Sequence, residues 1–152
     1  MVTYVLDTSA VLRFLDKEPG FVRVNEILVS SPKGICNVAI SAVNWGELVY
    51  ILSRTHGGRQ AEEIATSLKS SPVHIEEVDE ERARKAGLLK LRLAVPYADA
   101  FGIELAGDST EHILVTADFD FKPAEELIRI EFLPPKSSPQ LLHVLLEGTG
   151  RS

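Results

Sequence analysis

Five short apolar runs, at residues 2–6, 34–40, 73–78, 112–116 and 127–133, are separated by stretches long enough to hold helices, and this alternation constrains the fold more than any other feature. Parallel strands require a crossover of a dozen or more residues between them, whereas antiparallel neighbours can be joined by a tight hairpin. The runs VTYVL, GICNVAI and HILVT are nearly continuous in apolar residues rather than alternating, as expected of strands covered on both faces. The pattern therefore predicts an α/β sandwich with a mainly parallel sheet, whose ligands bind beyond the carboxyl ends of the strands.

The intervening segments carry helix signals. Thr8 and Ser9 offer N-caps before AVLRFL. FVRVNEILV reads as a second helix, and Ser41 or Asn44 can cap a third that runs to about residue 54, where His56-Gly57-Gly58 stops it. A polar helix over 59–69 ends at Ser70-Ser71-Pro72. The segment 79–93 opens with acids and continues with bases, matching the helix dipole. Pro96 precedes a helix over 97–106. Beyond KSSP, residues 139–147 (PQLLHVLLE) read as a short helix with Ser138 as cap and Pro139 in its first position.

The chain has 152 residues, enough for one domain with its own core, and contains neither repeats nor an interdomain linker. Cys36 is the single cysteine, so no disulfide framework or CxxC metal site is expected, and a reducing, cytoplasmic compartment is. The N-terminus lacks the features of a signal peptide. No stretch approaches the roughly 18 apolar residues of a membrane span, which argues against a membrane role. Sixteen Lys and Arg against 22 Asp and Glu leave a formal charge of −6, the opposite of a bare nucleic-acid binder's footprint. A polyanionic substrate would need a bound cation.

Four acids stand where apolar residues are expected. Asp7 directly follows the first strand, and Asp118 follows the strand HILVT. Glu47 has Val43 and Ile51 four residues to either side, and Asp99 has Val95 and Ile103, so both sit on otherwise apolar helical stripes. Singly, each also reads as a cap, a first-turn acid or a loop acid; Asp120 reads more strongly as a loop acid. Together, four such carboxylates would repel one another unless something positive lay between them. Carboxylates and water around a hard cation are the usual way to hold Mg²⁺ or Mn²⁺. Ser9 and Thr116 could orient those carboxylates, or simply cap backbone. Arg13 and Lys17, read as first-helix cations, could position phosphate or be exposed helix-face charges. His56, His74, His112 and His143 are scattered and read as ordinary surface or core residues. No GxSxG, Walker A or HExxH motif supplies another chemistry.

In chain order, VLDTSAVLRFL, NWGEL, YADAFGIELA and LVTADFDF resemble the PIN domain, and in particular the VapC-type ribonuclease toxins of prokaryotic toxin–antitoxin pairs. The resemblance runs from residue 1 to about 133. It implies a three-layer α/β/α sandwich with a Rossmann-like sheet of strand order 3-2-1-4-5, in a domain over 1–135. The sequence departs from the family pattern at the C-terminus, where the extra segment 136–152 is expected to cover the core, add a dimer contact or reshape antitoxin binding. By the same resemblance Asp7, Glu47, Asp99 and Asp118 are the metal-binding and catalytic acids, Ser9 is the small hydroxyl residue beside the first, and Asp120 is a less regular acidic position. Mg²⁺ or Mn²⁺ dependence, RNA cleavage, homodimerisation and inhibition by a cognate antitoxin are implied too.

Two other acidic α/β classes fit less well. A phosphatase of the haloacid-dehalogenase type wants DxD after its first strand, but Ser9 stands at the second position. A receiver domain wants paired acids at the first strand end and a phosphoacceptor aspartate after a middle strand, and neither is present. A catalytically silent scaffold whose acidic groove binds a basic peptide remains as the alternative from a different functional class.

Overall fold

The computed structural model describes residues 1–136. Its five strands are β1 (Thr3–Leu6), β2 (Asn37–Ser41), β3 (Val73–Glu76), β4 (His112–Thr116) and β5 (Arg129–Phe132). They form one sheet of order β3-β2-β1-β4-β5 in which every pair is parallel. The expected sheet and strand order are both present. The helices are α1 (Thr8–Leu15), α2 (Phe21–Ser30), α3 (Ala42–His56), α4 (Gly58–Lys69), α5 (Glu80–Leu93) and α6 (Tyr97–Ala106).

Side-chain alternation along the strands divides the interior into two cores. Val5, Ala39 and Leu114 face α5 and α6, packing with Phe101, Ile103 and Phe121. Leu6, Val38, Ile40 and Val115 face the other way, onto α1–α4, where Ile27, Leu48 and Leu52 are buried. The central strands are thus covered on both sides, which is why they read as unbroken apolar runs. Among the described residues, no helix is long and apolar enough to cross a membrane.

Several boundaries depart from the sequence-based expectation. The second strand begins at Asn37, because the chain after α2 closes into a turn in which Gly34 takes φ +74°, leaving Ile35 exposed. Ser41, rather than Asn44, caps α3 by accepting the Val43 amide. The stop at His56 is sharp because Gly57 sits at φ +84°. Residues Phe119–Glu126, which carry no helical periodicity and include Pro123, form a 3₁₀ helix, so β5 starts only at Arg129. The helix expected over 139–147 lies outside the described residues.

The largest correction concerns Arg13. It is a buried residue, and its guanidinium donates 2.7 Å hydrogen bonds to the carbonyls of Pro19 and Pro134. Through Nη1 it ties the turn after α1 to the segment leaving β5, so it is a buried tether rather than an exposed helix charge. Lys17 lies past the end of α1, exposed and at φ +51°. Beside this clamp Gly20 takes φ +99°, and a Cβ there would fall 2.9 Å from that of Leu133, so the close approach requires glycine.

Candidate active site

The chain reverses its winding direction between β1 and β4, opening a crevice at their carboxyl ends. Asp7 leaves β1 and Asp118 leaves β4, so both strand-end acids arrive there together.

Asp7 is 4% exposed and serves as the N-cap of α1, one oxygen accepting from the Ala10 amide at 2.9 Å. Two hydroxyls also donate to it. Ser9 Oγ lies 2.7 and 3.0 Å from its oxygens, and Thr116 Oγ1 donates to Oδ2 at 2.6 Å. Thr116 accepts the Asp118 amide, and Ser9 accepts the Ala117 amide. Asp7, Ser9, Thr116 and the 116–118 turn are therefore one hydrogen-bonded unit spanning β1, α1 and β4. Asp118 Oδ1 accepts the Asp120 amide at 2.9 Å, fixing the next turn.

Glu47 and Asp99 come from α3 and α6. Asn44, 1% exposed and one turn before Glu47, donates from Nδ2 to the Ala98 carbonyl at 3.0 Å and accepts Thr8 Oγ1 on its own carbonyl at 3.1 Å. These bonds join the starts of α1 and α6 to α3. Gly102 keeps the α3–α6 approach close, since a Cβ there would sit 3.2 Å from Asn44 Oδ1.

The electrostatics show that the acids share one place. Burial pushes the Asp7 carboxyl up to about 6, against the lowering effect of its three hydrogen bonds, with a further upward push from Asp118. Asp99 is pushed up to about 7, first by burial and then by Asp118, Asp7, Glu47 and Asp120 in that order. These four charged groups pushing Asp99 upward are all acids among the described residues, and the exposed Asp120 acts least among them.

Among the described residues, no three acids, histidines or cysteines are drawn into a finished ion cage. The donor set is nonetheless all oxygen and net negative, the chemistry that suits a hard divalent ion. Asp7, Glu47, Asp99 and Asp118 are the residues that would hold it.

Beside Asp118 and Asp120 runs an open cleft of about 510 Å³, whose walls also include Ser9, Arg13, Phe119 and Lys136. No described histidine lines it. His74 pairs with Glu76 and His112 Nδ1 meets the Leu105 carbonyl, both away from the acids. Sequence reasoning missed Phe119 and took Thr8 for a helix cap, whereas Asp7 caps α1 and Thr8 donates to the Asn44 carbonyl. Asn44 stood out only as a possible cap, and only its partners in the fold reveal the bridge it makes.

A parallel sheet of this order, with carboxylates converging at the switch point between β1 and β4, defines the class: an α/β/α domain with an acidic site at its carboxyl edge. The PIN domain family model matches residues 4–127, and the chain belongs to that family. No curated protein sequence matches it. Among solved structures, it is similar to VapBC2 from Rickettsia felis bound to a promoter DNA fragment, at 21% identity over 88% of this chain and 100% of that one, with a TM-score of 0.66. It is also similar to DNA-bound VapBC from Salmonella typhimurium, at 23% identity over 87% and 98%, with a TM-score of 0.64. VapC20 from Mycobacterium tuberculosis, described as a toxin that cleaves the sarcin-ricin loop, shares 19% identity over 86% and 99%, with a TM-score of 0.62.

Proposed function

We propose that this chain is a Mg²⁺- or Mn²⁺-dependent endoribonuclease acting as the toxin of a type II toxin–antitoxin pair. The observation that carries the reading is the environment of Asp99, whose carboxyl is pushed up first by burial and then by Asp118, Asp7, Glu47 and Asp120, acids contributed by separate parts of the fold. Its similarity to VapBC complexes and to a toxin described as cleaving the sarcin-ricin loop supports the same reading and extends it to an antitoxin partner; a homodimer is inferred from the family resemblance alone.

When bound, a divalent ion supplies charge neutralisation at a scissile phosphate and an acidified water. The chain's own contribution is geometry. Ser9 and Thr116 hold the Asp7 carboxylate in a fixed orientation through donated hydrogen bonds, and Asn44 keeps Glu47 and Asp99 in register. Four carboxylates offset the two charges of a single ion, so the remaining negative charge calls for more than one cation, or for basic groups from a second subunit, when RNA enters.

The test is RNA cleavage in Mn²⁺ by the wild type, Asp99→Asn and Glu47→Gln, with circular dichroism to verify folding. Both variants should lose cleavage and weaken Mn²⁺ binding. Undiminished cleavage by both overturns the mechanism. A wild-type protein that binds a basic peptide yet shows no carboxylate-dependent Mn²⁺ binding is instead a silent scaffold.

A further inference from the structure

Phe119 is the one large apolar side chain set between two acids of the site. It lies between Asp118 and Asp120 in sequence, is 44% exposed, and lines a cleft whose walls are otherwise mainly polar. Its ring stacks on that of Phe132, the last residue of β5, with centroids 5.2 Å apart and planes within 8°. Phe132 is itself partly buried and packs against the α5/α6 core. One face of the Phe119 ring is thus backed by a ring anchored in the domain interior, while the residue remains open to the cleft.

The backbone around it is fixed as well. The Asp118 amide is bound to Thr116 Oγ1 and the Asp120 amide to Asp118 Oδ1, so the ring is held at a set position relative to the acids. The exposed ring offers a planar apolar surface at the wall of the cleft, next to Asp118 and Asp120. Nucleobases present a π face whatever their identity, and only an unpaired base can offer that face to a side chain.

Resting on the ribonuclease reading, we propose that Phe119, backed by Phe132, is a stacking platform for an unpaired nucleobase adjacent to the scissile phosphate. The substrate is then RNA that is single-stranded or looped at the cut. A duplex, whose bases already stack on one another, is a poor substrate. The platform selects for strandedness, and its contribution to binding is largely indifferent to base identity.

The experiment uses the full chain carrying Phe119→Leu, which keeps apolar bulk without a π face, and Phe119→Tyr, which keeps the face. Thermal melts verify that both fold. Cleavage of short unstructured oligoribonucleotides in Mn²⁺ gives KM and kcat. In parallel, 2-aminopurine placed at successive positions of the same RNAs reports stacking by fluorescence quenching, measured in an Asp99→Asn background so that the RNA survives. Phe119→Leu should raise KM by roughly 10- to 100-fold with little change in kcat. It should also abolish the quenching seen at one probe position, while Phe119→Tyr restores both. Unchanged KM and quenching in Phe119→Leu overturn the platform, as does a fall in kcat that Phe119→Tyr fails to rescue, which would mean the ring only shapes the Asp118 turn. If the platform fails, cleavage by the wild type still stands. If the wild type cleaves no RNA in Mg²⁺ or Mn²⁺, the ribonuclease reading falls and the platform with it.

Discussion

Asp7 should make the metal-free protein less stable as pH rises through the weakly acidic range, and replacing it with Asn should remove that dependence. Its carboxyl loses a proton near 3.8 in the unfolded chain and at about 6 in the buried native site. Between those values the native state holds more protons than the unfolded one, so unfolding free energy falls as pH rises; below 3.8 and above about 6 the contribution is flat. The full difference is about 3 kcal/mol, and Asp7 is too buried for solvent to screen much of it. Asn is an equally good N-cap, and the hydroxyls of Ser9 and Thr116, 3.2 Å apart, can turn toward one another when one carboxylate oxygen becomes an amide. The substitution also removes the upward push of Asp7 on Asp99, an effect in the same direction, so the stability of the variant relative to wild type still rises with pH. The assay is guanidinium unfolding of wild type and Asp7→Asn in EDTA at about pH 4 and about pH 7.5. The stability of the variant relative to wild type should increase by about 3 kcal/mol between the two, on the order of 10 °C in melting temperature. Adding Mn²⁺ at the higher pH should stabilise the wild type more than the variant. Parallel curves, with the same difference at both pH values, would refute the assignment of a buried, proton-retaining Asp7.

Thr116→Val removes the 2.6 Å bond to Asp7 at little cost in volume, and should weaken Mn²⁺ binding roughly 10- to 100-fold, read by isothermal titration, while the fold persists by circular dichroism. Arg13→Ala should destabilise the protein by about 3 kcal/mol in chemical denaturation, because the Pro19 and Pro134 carbonyls lose a charged donor and a cavity opens.

The sequence exposed the positions of the four acids because each breaks a pattern set by burial. Asp7 and Asp118 end runs that only a doubly covered strand can carry, and Glu47 and Asp99 interrupt apolar stripes spaced by four. The strand order came from the resemblance and not from periodicity, which is blind to which strands pair. Arg13 escaped for the opposite reason. A cation in AVLRFL looks the same whether it faces water or is roofed by carbonyls 6 and 121 residues away. The 3₁₀ segment over Phe119–Glu126 has no 3.6-residue repeat to betray it, so the stacking of Phe119 on Phe132 was invisible until β5 lay beside β4.

The hydroxyl bond from Thr116 to Asp7 spans 109 positions of the polypeptide. As the ribosome makes this chain, Asp7 emerges before its partner on β4 and waits for it through 109 residues of synthesis. A nascent chain stalled before β4 therefore lacks both the Thr116 hydroxyl that holds Asp7 and the acid that follows it.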